Sequence, residues 1–129
     1  MEKRQINPWE WQNAFGYSQA WRVDAPQSIV YVAGQVAITP DGTVLSDADF
    51  ATQARQVFRN LQSVLEQSGA GFKDVVKVNV YLTDISRLQE YRDVKAEFVS
   101  GPQPASTSVE IKALAVPGLM IEIEAVAIL

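Results

Sequence analysis

The sequence predicts a single α+β domain, a mixed sheet with two helices packed on one of its faces. Three observations carry that expectation. Segments 17–38, 75–83 and 104–128 are rich in β-branched and aromatic residues and alternate at least in part. Two intervening segments, from Asp47 and from Ser86, change to the three- and four-residue spacing of a helix. No Pro-, Gly- or Ser-rich linker divides the chain, so one domain covers 1–129.

Tyr17–Val23 and Ser28–Ile38 are expected to pair across the turn-like Asp24-Ala25-Pro26-Gln27. Thr39-Pro40-Asp41-Gly42 is a turn, because Pro presets its own φ and Gly accepts a positive one. Phe50, Ala54, Val57, Phe58, Leu61, Val64 and Leu65 then describe one helix face. Ser46 with Asp49 suggests a capping box before it, and Gly69 a stop after it. In 75–83, Val76, Val78, Val80 and Leu82 alternate with Lys77, Asn79, Tyr81 and Thr83, a strand with unequal faces. Ser86 and Gln89 repeat the capping signature ahead of Leu88, Tyr91, Val94, Lys95 and Phe98, and Gly101-Pro102 closes that helix. The two last strands, Pro104–Ile111 and Ile121–Ile128, are expected to be neighbours around Val116-Pro117-Gly118.

Composition removes most chemistry. The chain has no Cys, which excludes disulfides, thiolate nucleophiles and thiolate metal sites. It has no His, the commonest general base and zinc ligand. Any catalysis must use carboxylates, hydroxyls, Tyr, Lys, Arg, backbone groups and water, and neither metal nor cofactor is expected. The net charge is −4 with no basic cluster, so a nucleic-acid partner is not expected. No apolar stretch reaches the ~20 residues that span a bilayer, and Met1–Asn7 lacks a secretory pattern. The expectation is a soluble, cytoplasmic protein.

Two helices cover one sheet face only. The strands nonetheless carry apolar residues on both faces: Ile29, Tyr31 and Ala33 on one side of 28–38, Val30, Val32, Val36 and Ile38 on the other. An apolar sheet face of this size usually marks an interface, so a homo-oligomer is expected. The competing expectation is that the Trp-bearing N-terminal segment folds over that face.

Five sequence pieces in the correct order resemble the Rid family (reactive intermediate deaminases, also called YjgF-like or endoribonuclease L-PSP proteins). They are Tyr17-Ser18-Gln19, Val32-Ala33-Gly34-Gln35-Val36, Ala54-Arg55-Gln56, Val76-Lys77-Val78 with Tyr81-Leu82-Thr83-Asp84, and Pro104-Ala105 with Ile121-Glu122-Ile123-Glu124-Ala125. The resemblance covers roughly Phe15 to Ile128. It implies a chorismate-mutase-like fold, a homotrimer with a small-molecule cleft at each subunit interface, and hydrolysis of enamines and imines to a 2-keto acid and ammonia.

Carried over residue by residue, the resemblance implies substrate contacts from Tyr17, Gly34 and Gln35, and a catalytic Glu122 that positions water. The family Arg that grips the substrate carboxylate is Ser106 here; Ala33, Arg92 and Ser108 also depart from the pattern. A charge-assisted hydrogen bond contributes roughly 1.5–3 kcal/mol, so this loss points to an Arg-less branch whose substrate need not be a 2-imino acid. Glu122 is either a general acid or base in a partly apolar cleft or half of an ion pair across a subunit boundary. Glu124 either pairs with it or sits in an interfacial or solvated ion pair. Arg92 either replaces the missing clamp or is a solvated helix residue. Ser106 and Ser108 share a strand face and either donate to a ligand or satisfy backbone groups. Tyr17 either lines the cleft or packs its ring. Trp9, Trp11 and Trp21 either wall a pocket or pack between subunits.

The leading expectation is therefore a metal-free hydrolase or deaminase of small enamine, imine or related C–N metabolites. The alternative is a non-catalytic small-molecule-binding or regulatory trimer. Ribonuclease activity, the source of the family's other name, is disfavoured by the acidic charge and the absence of His.

Overall fold

The computed structural model describes residues 1–129. The strands are β1 (Glu2–Ile6), β2 (Ala20–Asp24), β3 (Ile29–Gln35), β4 (Val75–Leu82), β5 (Ala105–Glu110) and β6 (Ile121–Ile128); the helices are α1 (Phe50–Gln67) and α2 (Leu88–Ala96). The main sheet has the order β3-β6-β4-β5, with β4 and β5 parallel and the other pairs antiparallel. Both helices pack on one face of it, so the α+β architecture is as expected.

Two expected pairings are corrected. β2 does not pair with β3. It forms a separate antiparallel ribbon with β1, in register from Glu2↔Asp24 to Ile6↔Ala20. After β2, Gln27 and Ser28 donate their N–H groups to the Leu129 carbonyl, which carries the chain into the main sheet instead of back along β2. Nor are β5 and β6 neighbours, because β4 lies between them. The crossover through α2 lays β5 parallel on one edge of β4. The return through 111–120 sends β6 down the other edge.

The expected caps shift by a few residues. Asp49, not Ser46, caps α1 by accepting from the Thr52 N–H at 2.8 Å. Before α2, Asp84 accepts from the N–H and Oγ of Ser86 and opens a short 3-10 turn over Ile85–Arg87. The turn at Gly42 forms as expected, with φ +86° and its N–H donated to the Thr39 carbonyl.

The core lies between helices and sheet. α1 buries Phe50, Ala54, Val57, Phe58, Leu61 and Leu65, while Val64, expected on that face, is exposed. Phe58 stacks on Tyr91 of α2 and on Phe98, with centroids 6.1 and 5.2 Å away. Gln53 is fully buried among these apolar groups, and its amide explains why. Its Nε2 donates to the carbonyls of Ala48 and Gly118, and its Oε1 accepts from the Met120 N–H. Three backbone groups of the turn into α1 and the turn into β6 are thereby satisfied.

The opposite sheet face is open. Tyr31 is 77% exposed and Ile29 47%, so the N-terminal segment does not cover this face. That segment instead docks along the outer edge of β5. Ser18 donates its N–H to Pro104 and its Oγ to Gln103, and the Trp21 indole N–H also reaches the Gln103 carbonyl. No helix is long and apolar enough to cross a membrane.

Candidate functional site

β6 alternates from Ile121 to Ala127. Ile121, Ile123 and Ala125 are buried toward the helices, so Glu122 and Glu124 project onto the open face. The two carboxylates have different surroundings. Glu124 accepts from Asn79 Nδ2 at 3.0 Å and from the Tyr81 hydroxyl at 2.6 Å, both on the adjacent β4. That bond, then burial and the charges of Glu124 and Glu122, pushes the Tyr81 phenol above its ordinary range. Within the chain Glu124 is thus held by two neutral donors and by no ion pair.

Glu122 lies over the backbone of Gly34. A Cβ at position 34 would fall 2.0 Å from its Oε1 and 2.7 Å from its carboxyl carbon. The pairing of β3 with β6 is irregular between Val32 and Gln35, where this close approach occurs. Glu122 takes part in none of the chain's ion pairs, which are Arg22–Asp24, Arg55–Glu97 and Arg87–Glu90. Gln35, expected as a ligand contact, turns its amide back and donates to the Ala33 carbonyl at 3.0 Å.

A second group of expected residues meets elsewhere. Tyr17, Arg92, Ser106 and Ser108 line one cavity of about 200 Å³ together with Phe15 and Lys95. It lies on the helix side of the sheet, because Ser106 and Ser108 stand in register with Val78 and Val80, which face the core. Docking of Ser18 on the β5 edge brings Tyr17 to the cavity, where its ring packs edge-on against Trp11 at 6.3 Å. The Arg92 guanidinium sits 5.1 Å above the Phe15 ring. Lys95 Nζ donates to the Gly16 carbonyl at 2.6 Å, from a turn where Gly16 takes φ +70°. Burial, then the charge of Arg92, lowers the proton affinity of Lys95.

Apart from Gln35, the chain therefore holds the expected residues as two separate groups on opposite faces of its sheet. Gly34 and Glu122 form the first; Tyr17, Arg92, Ser106 and Ser108 form the second. Lys95 was missed as a site residue. The helix spacing had counted it in the inward stripe of α2, and a charged side chain in an apolar stripe was the available signal. No group of three or more acidic side chains converges to hold a metal ion.

Comparison with known proteins shows the family. The model of the endoribonuclease L-PSP family matches residues 10–129. The chain belongs to the Rid family. It is 36% identical to a RutC family protein of Pyrococcus abyssi, over 86% of this chain and 84% of that one. A 2-iminobutanoate/2-iminopropanoate deaminase of Rattus norvegicus is 35% identical, over 87% of this chain and 79% of the relative. Among solved structures, the Rid-family protein YyfB of Yersinia pestis matches with a TM-score of 0.89 at 33% identity, over 100% of both chains. RidA of a Psychrobacter species matches with 0.74 at 35% identity, over 88% of each. Within this Rid fold Glu122 lies against Gly34, and Arg92 shares a cavity with Ser106.

Proposed function

We propose that this Rid protein is a metal-free hydrolase of small imines or enamines that carry an anionic group, working in clefts between subunits of a homotrimer. The observation that carries the reading is the shared cavity of Arg92, Ser106 and Ser108. Arg92 supplies from α2 the planar, two-pronged cation that the strand position lacks. The relative named as a 2-iminobutanoate/2-iminopropanoate deaminase supports the reaction class.

The two groups, read as half-sites, face opposite sides of one sheet, so joining them needs a second copy. The open face bearing Tyr31 and Ile29 is the surface available for that contact. In this reading the cavity of one protomer is completed by Glu122 of the partner subunit. Arg92 holds the substrate anion, with Ser106, Ser108 and Tyr17 as neutral donors. The Glu122 carboxylate accepts a proton from a water as its oxygen bonds to the imine carbon. The same proton then passes to the nitrogen. Glu122 next takes the hydroxyl proton of this carbinolamine and delivers it to the amino nitrogen as the C–N bond breaks, so the oxygen becomes a carbonyl, ammonia leaves and the carboxylate is restored.

The test couples the purified protein to an amino-acid oxidase and follows decay of the imine to ammonia and 2-keto acid. Faster decay with wild type, lost in Glu122→Gln, is the expected result. Loss of the family Arg favours one competing reading, a small-molecule binder without turnover. Ligand-induced thermal stabilisation without acceleration would select it.

A further inference from the structure

We propose that Lys95 is a second ligand-binding cation and that the cavity selects a small dianion, the 2-imino or 2-oxo form of a dicarboxylic amino acid. The inference rests on the reading of this cavity as the substrate site and names its substrate class.

Arg92 and Lys95 stand three residues apart on α2, so they share one helix face with Cβ atoms roughly 5–6 Å apart. Both line the cavity, and neither is in an ion pair. The lining includes hydroxyls and aromatic rings but no carboxylate. Two cations beside one another, partly withdrawn from water and without a counter-ion in their own protomer, are an unfavourable arrangement. In the proposed reaction, Glu122 of the partner subunit is engaged with the attacking water and not with either cation. The depressed proton affinity of Lys95 reports the same cost. A bound anion offsets it.

One carboxylate answers one of these cations and leaves the other uncompensated. Arg92 presents a flat fork suited to a single carboxylate. Lys95 presents a compact ammonium that spends one donor on the Gly16 carbonyl and keeps two for a ligand. The Gly16 bond also fixes the ammonium at the cavity wall, so the second anionic group meets a positioned cation. A ligand charged at both ends neutralises the pair, whereas a 2-imino acid with an apolar side chain places a methyl group beside an ammonium.

Calorimetric titration with 2-oxoglutarate and 2-oxobutanoate, stable analogues of the two classes of product, tests this on the intact protein. The wild type is expected to bind 2-oxoglutarate tighter by about tenfold or more, the ratio of one charge-assisted hydrogen bond. Lys95→Met is expected to bring that ratio to about one, and Lys95→Arg to retain a preference for the dianion. Equal affinities in the wild type, no binding of either compound, or an undiminished ratio in Lys95→Met would overturn the proposal. Imine decay is measured separately. Dianion binding without hydrolysis would sink the enzymatic reading and leave the selectivity of the cavity standing.

Discussion

The carboxylate of Glu122 occupies the volume that any side chain at position 34 would need: a Cβ built on Gly34 lies 2.0 Å from Glu122 Oε1. Gly34 serves here by its lack of a side chain and not by an unusual φ. The contact couples a glycine on β3 to the proposed catalytic group on β6, across a local irregularity in the pairing of the two strands.

Replacing Gly34 with Ala therefore displaces the Glu122 carboxylate. In the imine-decay assay, kcat/KM is expected to fall by an amount approaching that of Glu122→Gln, about 10²–10⁴-fold for loss of a general base. Circular dichroism would show the fold retained. Full activity in Gly34→Ala would mean that the carboxylate does not act from this position.

Arg92→Ala should raise KM for an anionic imine by about tenfold or more, with Arg92→Lys intermediate because one prong of the fork is lost. Steady-state kinetics separate this from a loss of kcat. A KM unchanged in both variants would remove Arg92 from the substrate clamp.

Tyr31→Asp tests the open face. Tyr31 is 77% exposed in the protomer, so a charge there is tolerated by a lone chain and opposed by an apolar subunit contact. Light scattering is expected to show a trimer for wild type and a protomer near 14.2 kDa for the variant. The variant should also lose imine hydrolysis, since neither half-site is complete alone.

Gln53→Leu should destabilise the chain without touching ligand. It strips partners from the Met120 N–H and from the carbonyls of Ala48 and Gly118. These groups are partly buried, and a polar group left unpaired away from water costs about 1–3 kcal/mol. Thermal unfolding should therefore shift down by several degrees.

The α1 cap gives a pH dependence with a definite sign. Bonds from the side chain and backbone of Thr52 hold the Asp49 carboxyl below its ordinary 3.8. A depressed acid stabilises the fold above its unfolded value, and that stability is lost as pH falls through the folded value. Asn caps without titrating. The advantage of wild type over Asp49→Asn in thermal melts should shrink as pH drops below about 4.

The elements were legible because their signals are local. The spacing of Phe50, Val57, Phe58 and Leu61 shows a helix face wherever that helix lies, and the alternation of Ile121 to Ala127 shows two strand faces. Strand order was not legible, because alternation assigns residues to faces and says nothing of neighbours. The β1 segment Glu2–Ile6 mixes charge with single apolar residues and carries no strand signal, so β2 was paired with the wrong strand. Arg92, Ser106 and Ser108 were each singled out, yet only the parallel docking of β5 on β4 and the crossing of α2 bring them to one cavity. Gln53 and Lys95 were hidden for a common reason: a polar residue in an apolar stripe looks like noise until its partners are in place.

Both proposed anion-gripping side chains, Arg92 and Lys95, stand on α2, with no strand backbone between them. Exchanging either one leaves every inter-strand hydrogen bond in place. Ligand preference in this scaffold is thereby separable from the pairing that keeps Glu122 on Gly34, and relatives can diverge in what they accept by altering one turn of a helix.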